Sequence, residues 1–172
     1  MGHLQQAYSW DIDGRNASGR LDPQGSVVRT REIEEGVVFE RNDVTVTAFL
    51  VDHGRNTPAF GYRLDYGEYA VALSGDTRFS ENLIKFSEGV DVLIHEAMVA
   101  DHPAIGSHTS FAEAGEVFRQ VNPGLAVFAH ATSMTPNSMA RTRESFSGRV
   151  IDGTDMMTIQ IGESIDVYPY TP

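Results

Sequence analysis

An α/β fold, a mixed sheet covered by helices on one face, is what these 172 residues predict, and three observations predict it. From about Val27 to Ser74 the chain is a succession of short β-rich runs. From Ser80 onward helical and strand patterns alternate. Finally, four hydrophobic runs stop at a His or a carboxylate, as strands do when they present their last side chain at the rim of a sheet: Phe49–Gly54, Leu73–Thr77, Leu93–Ala97 and Val127–His130.

Residues 1–26 form the first segment. Asp11-Ile12-Asp13-Gly14-Arg15-Asn16 and Leu21-Asp22-Pro23-Gln24-Gly25 are turn-rich, so this stretch is expected to be loop with room for a short helix near Leu4–Trp10. Residues 27–172 form the second segment. Strands are expected at Val27–Ile33, Val37–Glu40, Val44–Val51, Ala59–Asp65 and Tyr69–Ser74. Val44–Phe49 alternates and is half-buried in expectation, whereas Ala70–Leu73 reads as buried on both faces. Asp65-Tyr66-Gly67-Glu68 suits a tight hairpin turn.

A short helix over Ser80–Ser87 and a strand over Val90–Ile94 come next. Ser110 followed by Glu113 is a capping box, opening a helix to about Val121 whose Phe111, Ala114, Phe118 and Val121 share one face. Asn122-Pro123-Gly124 stops it. A strand at Leu125–Ala129, a helix near Asn137–Phe146 and strands at Met156–Ile161 and Ile165–Tyr168 complete the expectation.

Composition narrows the function classes. With no cysteine there is neither a disulfide framework nor a thiolate zinc site, so a metal must be held by His and carboxylate. A net charge of −11 repels polyanions, and nonspecific nucleic-acid binding is not expected. Arg141, Arg143 and Arg149 form a local basic spot that reads first as ordinary surface charge. No apolar run approaches the ~18 residues of a membrane span. Met1–Gln6 has no signal-peptide pattern, so a cytoplasmic location is the default expectation.

Taken singly, each polar strand end has a plainer use. Asp76 could cap the following helix, His130 could bond a backbone carbonyl in the core, and His95-Glu96 could be an exposed pair. His108 could lie on the surface, and His3 and His102 have no context that suggests a role. The ordered set, His53, Asp76, Glu96, His108 and His130, is what points to a divalent-metal site with proton-transfer groups.

Those same islands carry a resemblance. Val51-Asp52-His53-Gly54 with Pro58–Arg63, Leu73-Ser74-Gly75-Asp76-Thr77-Arg78, Asp91–Ala97, Ser107-His108-Thr109-Ser110 and Phe128-Ala129-His130 are similar, in order and spacing, to segments of the metallo-β-lactamase-fold hydrolases. The branch resembled is that of ribonuclease Z and the arylsulfatase-type esterases, and the likeness runs from about Val27 to Gly162. It implies half or more of an αβ/βα sandwich, corresponding to the C-terminal half of that fold. It implies metal-dependent hydrolysis of a phosphodiester, sulfate or other ester, with two Zn2+ in the complete site and Mn2+ or Fe as substitutes. His53, Asp76 and His130 are the implied metal ligands, Asp76 bridging, and Glu96 with His108 the implied proton-transfer pair.

The family's His-x-His-x-Asp-His signature does not occur in these residues. The resemblance therefore implies weak metal binding by this chain alone, and either self-association or a separate N-terminal half to complete it. The hairpin between Arg63 and Ser74 leaves no room for a long insertion, which with the acidic charge favours a small ester substrate over tRNA. The alternative expectation is a non-catalytic domain of the same fold acting as a binding or oligomerisation module.

Overall fold

Two helices, α1 (Gly2–Ala7) and α2 (Ser9–Ala17), occupy the stretch whose composition predicts loop. The turn-formers Asp11 and Gly14 are helical here. Asp11 sits in the first turn of α2 and Arg15 in the last, and Arg15 Nε meets Asp11 Oδ2 at 2.8 Å across one turn. A single 3₁₀ turn follows at Pro23–Ser26. The computed structural model describes residues 2–19, 23–26, 29–98, 106–131 and 134–171. It divides into two units, one ending at Ile33 and the other beginning at Glu34.

The strand expected at Val27–Ile33 is not formed: residues 29–33 carry no regular structure, and Val27 and Val28 lie outside the described residues. The second unit instead opens with an antiparallel meander rich in β-branched and aromatic residues: β1 (Gly36–Arg41), β2 (Val44–Val51), β3 (Ala59–Tyr66) and β4 (Tyr69–Leu73). Asn42 and Asp43, both at positive φ, turn β1 into β2, and the turn from β3 to β4 falls at Gly67 and Glu68 as expected. Three parallel strands then join through helices: β5 (Val92–Glu96), β6 (Leu125–Ala129) and β7 (Val150–Asp152). Strand order in the seven-stranded sheet follows the chain, β1 to β7. β7 has no counterpart among the expected strands, because three residues are too short to show a period.

The connecting helices are α3 (Glu81–Phe86), α4 (Phe111–Val121) and α5 (Pro136–Arg143). Ser80 caps α3 by accepting from the Leu83 amide, and the Ser110/Glu113 capping box opens α4. One face of the sheet buries Phe49, Ala70, Ala72, Leu93, Ala126 and Phe128 against Leu83, Phe111, Ala114, Val117 and Phe118 of the helices. Phe118 is fully buried, and its ring meets those of His95, Phe128 and Phe146.

The opposite face is apolar as well. Phe39, Val46, Leu64, Val71, Val92 and Leu125 are successive cross-strand partners, so they form one row on one face. A hairpin of β8 (Thr158–Ile161) and β9 (Ile165–Tyr168) covers the β5–β7 end of this face with Ile159, Ile161, Ile165 and Val167. At the other end Phe39 stays 49% and Leu64 38% exposed. No helix among the described residues is long and apolar enough to cross a membrane.

His95 is the unusual member of the core. It is fully buried on β5, with Nδ1 against the Glu96 carbonyl and Nε2 without a hydrogen-bond partner among the described residues. Burial lowers its pKa from 6.5 to about 4, against weaker upward pulls from that carbonyl and from Glu113.

Two predictions follow from this packing. Phe118→Ala should cost about 3–5 kcal/mol, read from urea unfolding at pH 7. Because the folded pKa of His95 lies below the unfolded value, the unfolded chain binds the extra proton between the two. The neutral-histidine contribution is therefore complete above about pH 6.5 and lost as pH falls towards about 4, roughly 3 kcal/mol in all. Unfolding midpoints measured across that window should fall less steeply in His95→Gln than in the parent chain.

Candidate metal centre and proton-transfer pair

Strand direction gathers the site. β2 and β4 are both antiparallel to β3, and β5 and β6 are parallel to β4, so all four run the same way and end at one edge of the sheet. His53 lies just past β2, Asp76 just past β4, Glu96 at the end of β5 and His130 directly after β6. His108 comes from the segment leading into α4. Crevices beyond the carboxyl ends of strands are where loops of an α/β sheet converge, and all five predicted residues meet there.

Two glycines make the approach feasible. Gly75 has φ +61°, and a Cβ there would lie 2.6 Å from the Phe60 carbonyl oxygen, so only glycine turns the chain in time to deliver Asp76. Gly54 has φ +62° and faces Arg78 Nη2, the Gly106 carbonyl and Ser107 at 3.1–3.3 Å from a notional Cβ, which lets the His53 and His108 segments pack closely. His130 adopts φ 52° without being glycine, a backbone state that histidine enters more readily than most residues.

Asp76 Oδ2 stands 3.9 Å from His53 Nε2 and 3.9 Å from His130 Nε2. Tetrahedral donors each about 2.0–2.2 Å from an ion lie about 3.3–3.6 Å apart, so each imidazole needs to move only a few tenths of an ångström to share a divalent cation with Asp76. His53 Nδ1 is 3.0 Å from the Ser107 carbonyl oxygen. A carbonyl only accepts, so that nitrogen carries the proton and Nε2 turns its lone pair towards Asp76. Donor atoms of His53, Asp76 and His108 lie within 4.8 Å of one another. His108 thus stands at the cluster as well as beside Glu96, with its ring 4.9 Å from that of His53 and 5.4 Å from that of His130.

Glu96 is nearly fully buried, and its Oε1 accepts from the Thr77 amide at 2.9 Å and the Thr109 amide at 3.3 Å. The same oxygen lies 3.0 Å from His108 Nδ1, while Oε2 has no partner among the described residues. Burial raises the Glu96 carboxyl above its ordinary range, opposed by the Thr77 amide, His108 and the Thr109 amide.

The plainer uses of these residues are not the ones found. The cap of α3 is Ser80, not Asp76. His95 and Glu96 are buried rather than an exposed pair, His108 is largely buried, and His130 is exposed at the rim rather than in the core. His3 is exposed and His102 lies outside the described residues. The three arginines of the basic spot are engaged locally: Arg141 with Glu144, Arg143 with the Gly148 carbonyl and Arg149 with the Ile165 carbonyl.

Sequence reasoning missed the residues that brace the site. Thr109 Oγ1 donates to the Thr77 carbonyl at 2.6 Å, and Ser74 Oγ accepts from the Glu96 amide at 3.0 Å. Arg78 ties two loops together, its amide donating to the Asp52 carbonyl at 2.9 Å and its Nε to the Gly106 carbonyl at 2.6 Å. Their only sequence signal is adjacency to the candidate ligands, since backbone partners leave no trace in side-chain pattern.

Comparison with known proteins agrees with this geometry. Residues 11–131, more than half of the chain, match the family described as the beta-lactamase superfamily domain. A ribonuclease Z of Mycobacterium sp. (strain KMS) is 26% identical over 157 residues, which cover 83% of this chain and 55% of that protein. The chain thus spans about half the length of this curated relative. The metallo-beta-lactamase fold protein YhfI from Bacillus subtilis superposes with a TM-score of 0.62 at 22% identity, over 76% of this chain and 51% of its own. Human tRNase Z, short form, superposes with a TM-score of 0.52 at 18% identity, over 77% and 46% respectively. By fold, sequence and the arrangement of its strand-end residues, the chain belongs to the beta-lactamase superfamily, a family of metal-dependent hydrolases.

Proposed function

We propose that the chain carries one side of a metal-dependent ester-hydrolase site of the ribonuclease Z-like type, acting on a phosphodiester, sulfate or other small ester. The observation that carries this reading is the convergence of His53 and His130 on Asp76 Oδ2, with the His108–Glu96 pair alongside. His53, Asp76 and His130 hold the metal, with zinc the first candidate and manganese or iron chemically acceptable. A divalent ion bound there supplies an activated water at neutral pH and polarises the ester oxygen.

The chain's own residues do the rest. Asp76, 3.9 Å from two imidazoles, fixes the spacing of the donors. The Ser107 carbonyl holds His53 in the tautomer that ligates. Glu96, itself held by two amides, orients His108, whose free nitrogen delivers a proton to the leaving oxygen. The names of the curated relatives support phosphodiester chemistry, while the −11 charge argues for a small substrate rather than a nucleic acid.

These 172 residues contain no His-x-His-x-Asp-His run, so further ligands are supplied by another segment or by association through the sheet face that leaves Phe39 and Leu64 exposed. That face also supports the second reading, a non-catalytic binding or oligomerisation module.

Elemental analysis at defined oligomeric state separates the two. The hydrolase reading expects about one or more zinc equivalents per chain, lost in Asp76→Ala and in His53→Ala; near-zero metal throughout favours the module. In the assembled enzyme, Asp76→Ala should abolish metal and turnover together. His108→Ala should lower turnover of a chromogenic phosphodiester by about 10²–10⁴-fold while leaving metal content unchanged. Loss of metal in His108→Ala would reassign that residue as a ligand.

A further inference from the structure

An open hollow of about 600 Å³ adjoins the metal cluster and shares His53 with it; Gly54, Arg55, Asn56, Arg78, Gly106 and Ser107 complete its wall. The two cations in that wall are not equivalent. Arg78 is committed: Nε donates to the Gly106 carbonyl, and Nη1 lies 3.4 Å from Asp52 Oδ2. Arg55 has no ion pair or hydrogen bond among the described residues. Elsewhere Arg15, Arg63, Arg119 and Arg141 are each neutralised by a carboxylate within 3.0 Å. Against a net charge of −11, a guanidinium with no carboxylate partner among the described residues lies in the wall beside the candidate metal cluster.

Two carboxylates flanking the His53 loop and the cluster have other partners. Asp52 is taken by Arg78 and by the Gly54 amide at 2.9 Å, and Asp76 faces His53 and His130. A guanidinium fork matches two oxygens of a phosphate, and the Asn56 side-chain amide adds a neutral donor to the same wall.

We infer that this hollow binds a second anionic group of the substrate, of the phosphate class, and that Arg55 is the residue that selects for it. This deepens the hydrolase reading and rests on it for the word substrate. Esters carrying a phosphate next to the scissile group are then preferred to singly charged ones, the distance between Arg55 and the cluster acting as the ruler.

The test is binding of inorganic pyrophosphate to isotope-labelled, EDTA-treated chain at pH 8, followed through backbone amide shifts. Saturable shifts of the Gly54, Asn56 and Ser107 amides are expected. Arg55→Ala should weaken the titration at least about tenfold, the loss of one charge-assisted contact. Arg41→Ala, at the start of the β1–β2 turn and opposite Val44, should leave it unchanged. Absence of saturable shifts at those amides overturns the inference, and so does an undiminished titration in Arg55→Ala or an equal loss in Arg41→Ala. The measurement involves neither metal nor turnover, so failed hydrolysis would count against the proposed activity alone, and failed pyrophosphate binding against this anion site alone.

Discussion

One buried carboxylate oxygen organises the edge of this sheet. Glu96 Oε1 receives the Thr77 amide, the Thr109 amide and the His108 ring. These belong to the loop after β4 and the segment before α4, so a single acceptor at the end of β5 fixes three chain segments relative to one another. Burying a carboxylate is costly, and the donors that satisfy Oε1 are the ones that carry the site, Oε2 having none among the described residues. The two amides come from neighbours of Asp76 and His108, which means the brace and the candidate chemistry share a backbone. Around that hub, Thr109 to Thr77 and Arg78 to Gly106 and Asp52 extend the same stitching to the His53 loop.

The arrangement separates two kinds of demand. On the helix-covered face, aromatic packing around Phe118 and Phe128 sets the spacing of β5 and β6 against α4. At the strand ends, polar groups lean on backbone donors and acceptors as well as on one another. His53 leans on a carbonyl and Glu96 on amides, so the positions of these groups are set by the course of the chain more than by rotamer choice. His95 sits where the two regimes meet, an imidazole surrounded by the apolar core yet adjacent to the hub residue.

Much of this was legible in the sequence because strand ends are legible. Val44–Val51, Tyr69–Ser74 and Leu125–Ala129 read as strands from pattern alone, and the His or Asp following each run is found at the sheet's edge. The Ser110/Glu113 box located α4 for the same local reason. What was not legible depends on partners distant in sequence or on weak local balance. Ser9–Ala17 is helical despite its turn-forming composition, and its exposed Asp11–Arg15 pair adds only a little support. In Val27–Ile33, Arg29, Arg31 and Glu32 interrupt the β-branched residues, and the run is irregular where it is described. The roles of Thr77, Thr109 and Arg78 reside in backbone contacts across 25 to 32 positions, a separation that no window along the sequence can register.

Because β2, β4, β5 and β6 point the same way, the turns at their opposite ends are remote from all the chemistry. Asn42-Asp43, Gly67-Glu68 and Asn122-Pro123-Gly124 close the sheet on that far side. The molecule is therefore polarised into a working rim and a tolerant rim. A fluorophore, an affinity handle or a surface tether grafted at Gly67-Glu68 would report on or immobilise the protein with its ligand edge left facing solution.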